Sequence, residues 1–100
     1  GENIYPREVE EVLYRCPGVR DAAVIGLPHP KWGQTVVAVI VRSDPALDAD
    51  RVDEFCRTSG LLAPFKRPRR IIFASQLPVN PSGKVLKREL TKQFTLETVS

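Results

Sequence analysis

Lys84 follows a glycine at the end of a loop stiffened by two prolines, in the stretch LPVNPSGKVLKREL. An ammonium held in that way suits contact with an anion. The nucleotide-binding P-loop is excluded. That motif needs a glycine five residues before Gly83 and a Ser or Thr after the lysine, where Pro78 and Val85 stand. Read as plain punctuation, Pro78, Asn80, Pro81, Ser82 and Gly83 make a turn before a helix. Against that reading, Lys84 stands where a helical pattern begins, and the helix dipole disfavours a cation there. The conflict argues that something anionic meets the lysine.

A second group of candidates is the run FKRPRR, with Lys66, Arg67, Arg69 and Arg70 around Pro68. Charge runs are usually solvated loops. With Phe65 beside it and the single tryptophan, Trp32, exposed elsewhere, the run also suits an anion site with a stacking surface for a base. Such stacking contributes about 1–3 kcal/mol per base. RNA or DNA would use the same parts, so these residues alone do not name the ligand. Other constellations are missing. His29, in PHPK, has no acid near it in sequence to build a nucleophile–base pair, and reads as a surface histidine. The acidic residues fall at helix N-termini or on outer faces. Cys16 and Cys56 form no CxxC pair and, with one histidine, assemble no zinc site; two buried, reduced thiols in a cytoplasmic protein are the expectation.

The elements that carry these residues follow from periodicity. Residues 6–15 read as a helix, with Pro6 in the first turn, acids at its start, and Val9, Val12, Leu13 and Cys16 on one face. A short apolar strand runs to Pro28, HPKWGQ makes a turn, and residues 35–41 form a strand buried on both faces. Asp48 begins a second helix with Val52, Phe55 and Cys56 inward, stopped by Gly60. LAPFKRPRR is a basic loop and RRIIFAS a third strand. Residues 85–94 form a last helix with Leu86, Leu90 and Phe94 as its inner stripe. The order predicts an α+β fold, a small three-stranded sheet with helices packed on it, preceded by an N-terminal loop or short strand.

One hundred residues predict one domain, 1–100, able to bury about 65% of its unfolded surface. An apolar share of 42%, a charged share of 27% and a net charge of +3 are ordinary for a globular protein and too weakly basic to argue for nucleic acid. No apolar run reaches membrane-spanning length. With no methionine anywhere, the sequence is expected to be a piece of a longer polypeptide.

Three stretches in order and spacing, GENIYPREVEEVL, DAAVIGLPHPKWGQTVVAVIV and FKRPRRIIFASQLPVNPSGKVLKREL, resemble the C-terminal lid domain of the adenylate-forming superfamily. The likeness is nearest to acyl- and aryl-CoA ligases of the 4-chlorobenzoate and benzoate type. The resemblance implies a reaction in two steps. A carboxylic acid and ATP, with Mg2+, give an acyl-adenylate and pyrophosphate; the CoA thiol then displaces AMP. It implies an N-terminal domain, absent from this chain, that holds ATP, the acid and the metal, and a lid inactive alone. Lys84, with Gly83 beside it, matches the adenylation lysine. Trp32, Phe65 and Arg67 match the surface that holds the CoA nucleotide. Gly1, Glu2 and Asn3 match the loop lining the pantetheine channel. The lid of an enzyme loading a carrier protein is the alternative, disfavoured because a carrier brings no free nucleotide to that trio. A stand-alone nucleic-acid module is more remote, and would lose affinity steeply with salt.

Overall fold

The computed structural model describes residues 5–31 and 33–99, with side chains described to residue 95. The chain begins with helix α1 (Pro6–Tyr14), whose proline occupies the first turn, where its missing N–H costs nothing. Strands β1 (Val19–His29) and β2 (Gly33–Arg42) form an antiparallel hairpin, registered from Val19 opposite Arg42 to His29 opposite Gly33. Helix α2 (Ala49–Thr58) follows, capped by Asp48, whose carboxylate accepts the Arg51 N–H at 2.8 Å. A 3₁₀ turn (Pro64–Lys66) leads into β3 (Arg70–Phe73), and α3 (Lys87–Val99) ends the fold. The sheet order is β1-β2-β3, with β3 parallel to β2. A parallel neighbour needs a long crossover, and α2 supplies it.

Both faces of the sheet are covered. Ala22, Val24, Ala38 and Ile40 point to one side, against Val9, Val12 and Leu13 of α1 and Val52 and Cys56 of α2. Ala23, Ile25, Leu27, Val37 and Val39 point to the other, against Leu90 and Phe94 of α3. Strands buried on two faces read as unbroken apolar runs, which explains the pattern of β2. The α+β class and the element order stand as expected.

Three local expectations change. The hairpin is longer than its turn residues imply: Pro28 pairs opposite Gln34, tolerated because β1 is an edge strand. The last helix begins at Lys87, because Val85 instead bridges to Val79 in antiparallel fashion. Leu86, expected inside, is 36% exposed. Its N–H is taken by the Pro78 carbonyl at 2.8 Å, and its own carbonyl accepts the first helical N–H groups, from Glu89 and Leu90. Strand-like alternation at 85–86 turns Val85 toward the sheet and Leu86 away from it. The expected N-terminal loop or short strand, at residues 1–4, lies outside the described residues.

Candidate functional site

Residues 78–86 form a closed rung. Outside the Val79–Val85 bridge, the Asn80 N–H donates to the Lys84 carbonyl at 2.9 Å and the Gly83 N–H to the Asn80 carbonyl at 2.8 Å. The Asn80 side chain fills the rung. Its Oδ1 accepts from the Ser82 N–H at 3.0 Å, the Ser82 hydroxyl at 2.7 Å and the Lys84 N–H at 2.9 Å. Gly83 sits at φ +87° with open space around the position of a side chain, so backbone conformation rather than crowding selects glycine. The result is a preorganised tip with Lys84 exposed on it. Its ammonium makes no ion pair or side-chain hydrogen bond among the described residues. Because α3 starts three residues later, the dipole conflict expected at Lys84 does not arise.

The stalk behind the tip is fastened. The Lys87 ammonium, on the first residue of α3, lies 2.6 Å from the Glu10 carboxylate of α1. The same Glu10 oxygen accepts the Val24 N–H from the open edge of β1 at 2.8 Å. The Glu10 side chain is 19% exposed, so it is not the solvated outer-face acid that periodicity implies.

The basic run is structured too. Lys66 lies 2.8 Å from the Glu8 carboxylate and 4.4 Å above the Tyr5 ring centroid, a salt bridge and a cation–π contact on one ammonium. Arg67 Nη1 donates to Asp53 Oδ1 at 3.2 Å, and Asp53 also holds Arg57 at 3.1 Å. Arg67 Nε is buried without a hydrogen-bond partner among the described residues. Phe65 is the opposite case. It is 72% exposed, touched at its edge by Tyr5 with centroids 6.4 Å apart. Arg69 and Arg70 line a 340 Å³ cavity with His29 and Thr35 at the turn end of the hairpin. His29 is half-buried there, its Nδ1 accepting the Lys31 N–H at 3.1 Å.

Apart from Arg69 and Arg70 at the hairpin turn, the candidates fall into two places. Leu77 and Val85, flanking the lysine tip, pack on the α3 face of the sheet, while Lys66 and Arg67 are tied to α1 and α2 on the opposite face. Trp32, Gly1, Glu2 and Asn3 lie outside the described residues. Sequence reasoning missed Glu8, Glu10, Asp53 and Lys87, whose partners are far away along the chain, and took Asn80 for a simple turn former. The spacing of Asn80 from the Gly-Lys pair is the one signal that marked it.

Neither thiol is a nucleophile in this fold. Burial raises the Cys16 pKa, and burial first, then Cys16 and Asp53 nearby, push Cys56 up to about 11, with Arg67 opposing.

The family model for the AMP-binding enzyme C-terminal domain matches residues 8–84. A 4-chlorobenzoate–CoA ligase of Pseudomonas sp. (strain CBS-3) is 50% identical over 96 residues, covering 95% of this chain and 18% of that protein. A feruloyl-CoA synthase of Amycolatopsis sp. is 46% identical over 95 residues, covering 94% of this chain and 19% of that protein. Among solved structures, a Mycobacterium tuberculosis fatty acyl CoA synthetase matches with a TM-score of 0.89 at 42% identity, covering 97% of this chain and 19% of that one. The chain thus spans roughly a fifth of the length of the relatives it matches.

Proposed function

The chain belongs to the family of AMP-binding enzyme C-terminal domains, and on that premise we propose that it is the lid of an ATP-dependent, AMP-forming acid–CoA ligase. The relatives named above are CoA ligases or synthetases acting on aromatic and fatty acids, which supports an acyl or aryl acid as substrate. In the first step the acid's carboxylate oxygen attacks the α-phosphorus of ATP and pyrophosphate leaves. In the second the CoA sulfur attacks the acyl carbon and AMP leaves.

Lys84 serves the first step. Two anions are forced together there, and an ammonium about 4 Å away contributes on the order of 4 kcal/mol at an effective dielectric of 20. The observation that carries this role is the tip itself, an exposed ammonium, without an ion pair among the described residues, on a loop braced by three hydrogen bonds to Asn80 Oδ1. Phe65 and Arg67, with Trp32, serve the second step by holding the CoA nucleotide; Gly1, Glu2 and Asn3 line the pantetheine path. The placement of the two groups on opposite faces suits a lid that turns a different side to the rest of the enzyme in each step.

Among the described residues no group of three His, Cys, Asp or Glu side chains is arranged to hold a metal ion. The Mg2+ that accompanies ATP, like ATP itself, is assigned to the N-terminal domain. No helix among the described residues is long and apolar enough to cross a membrane. Two free thiols go with a cytoplasmic enzyme.

The test is Lys84→Ala in the full-length enzyme. Adenylate formation, read as pyrophosphate released, should fall about 10²–10³-fold, by analogy with loss of one oxyanion donor. A supplied acyl-adenylate should still react with CoA at an unchanged rate. Equal loss in both steps would remove the lysine from this role.

A further inference from the structure

The exposed tip explains how Lys84 is presented; it does not explain what fixes the tip relative to the body of the domain. The rung is closed on itself, and only its two stalks can hold it in place. On the C-terminal side, three residues beyond Lys84, stands Lys87. Its ammonium makes, among the described residues, the only ion pair joining α3 to another element, 2.6 Å from Glu10 on α1. The two helices lie on opposite faces of the sheet. The pair therefore passes over the open edge of β1, where Glu10 also accepts the Val24 N–H at 2.8 Å.

From this arrangement we infer that Glu10 is a positioning residue for Lys84, acting through Lys87. Its carboxylate clamps the first residue of α3 to the sheet edge, and with it the rung that ends one residue earlier at the Leu86–Pro78 hydrogen bond. An exposed ion pair contributes little to stability, about 0–1 kcal/mol. This carboxylate differs in having two donors and a side chain 19% exposed, so its geometry is well defined. Removing the clamp would let the start of α3 shift without unfolding the domain, because Leu90 and Phe94 still anchor the helix. A catalytic group displaced by about 1 Å can lose about 10²-fold in rate. The clamp is thus expected to act on the step Lys84 serves and to spare the other.

This inference rests on the adenylation role of Lys84, and the experiment separates the two. In the full-length enzyme, Glu10→Gln, Lys87→Met, Lys87→Arg and Lys84→Ala are compared in each half-reaction, with thermal unfolding recorded for each. Glu10→Gln and Lys87→Met should lower kcat for adenylate formation about 10- to 100-fold. KM for ATP and for the acid should stay put, and the reaction of supplied acyl-adenylate with CoA should be unchanged. Lys87→Arg should restore the rate. The double variant should be no worse than either single, the signature of coupled residues. Lys87→Met leaves the Glu10–Val24 bond intact, so it carries the test even where Glu10→Gln folds poorly. Loss of both half-reactions together, or Lys87→Arg as impaired as Lys87→Met, would overturn the positioning role. If Lys84→Ala cripples adenylation while Glu10→Gln and Lys87→Met do not, the clamp fails and the lysine stands. If Lys84→Ala has no effect, both fall.

Discussion

Phe65 and Arg67 stand two positions apart and answer to different forces. Phe65 is 72% exposed, with Tyr5 6.4 Å away ring to ring and Lys66 5.6 Å from its centroid, so truncating it forfeits little packing. Arg67 is 30% exposed and bound to Asp53. Its removal strips a partner from a carboxylate and the packing of its stem as well. Phe65→Ala is therefore the cleaner probe of nucleotide binding. Stacking of about 1–3 kcal/mol predicts a rise in KM for CoA of about 5- to 150-fold, with adenylate formation and melting temperature unchanged. Arg67→Ala should move both KM and stability. Steady-state kinetics against CoA decides it, and an unaltered CoA dependence in Phe65→Ala would withdraw the stacking role. The turn that holds Gly83 and Lys84 was legible because its signal is local: a glycine, a lysine and flanking prolines within a few residues. The Glu8–Lys66, Asp53–Arg67 and Glu10–Lys87 pairs were not, since sequence distance hides which charge meets which.

Among the elements, periodicity identified every helix and long strand because each buries a continuous face. It failed at 85–86, where two residues of strand-like alternation precede a helix and a single Val79–Val85 bridge decides the geometry. It also gave no orientation for β3, since parallel pairing depends on the crossover through α2 and not on anything within RIIF. The α1–α2 face carries a prediction of its own. Cys56, on α2 and buried, faces Cys16, Asp53 and Arg67, and its pKa of about 11 exceeds the ordinary 9.0. Below pH 9 the thiol is protonated in both folded and unfolded chains, and its contribution is complete. Between pH 9 and about 11 the unfolded chain releases a proton that the folded chain still holds, so stability falls across that window. Denaturant unfolding at pH 8 and pH 10.5 should show the stability gap between the native chain and Cys56→Ala shrinking at the higher pH. A gap that stays constant would mean the thiol titrates as it does in the unfolded chain.

At the scale of the whole molecule, the described residues form one three-layer body with a radius of gyration of 13.1 Å, the value of about 13 Å expected for a compact domain of this length. The apolar faces of its sheet are covered by its own helices. Catalysis is another matter. In the proposed role Lys84 contributes on the order of 4 kcal/mol, whereas enzymes lower their barriers by about 8–23 kcal/mol. On the proposed reading the remainder comes from the N-terminal domain, which would bind ATP and the acid in one geometry. The isolated 100-residue chain should therefore unfold in a single cooperative transition and yet form no thioester from acid, ATP and CoA. Calorimetry reads the first outcome and chromatographic detection of AMP and acyl-CoA the second. Turnover by the isolated chain would overturn the division of labour between lid and N-terminal domain. A folded, silent chain that restores adenylate formation when mixed with the separately prepared N-terminal domain would locate the missing barrier reduction in that domain.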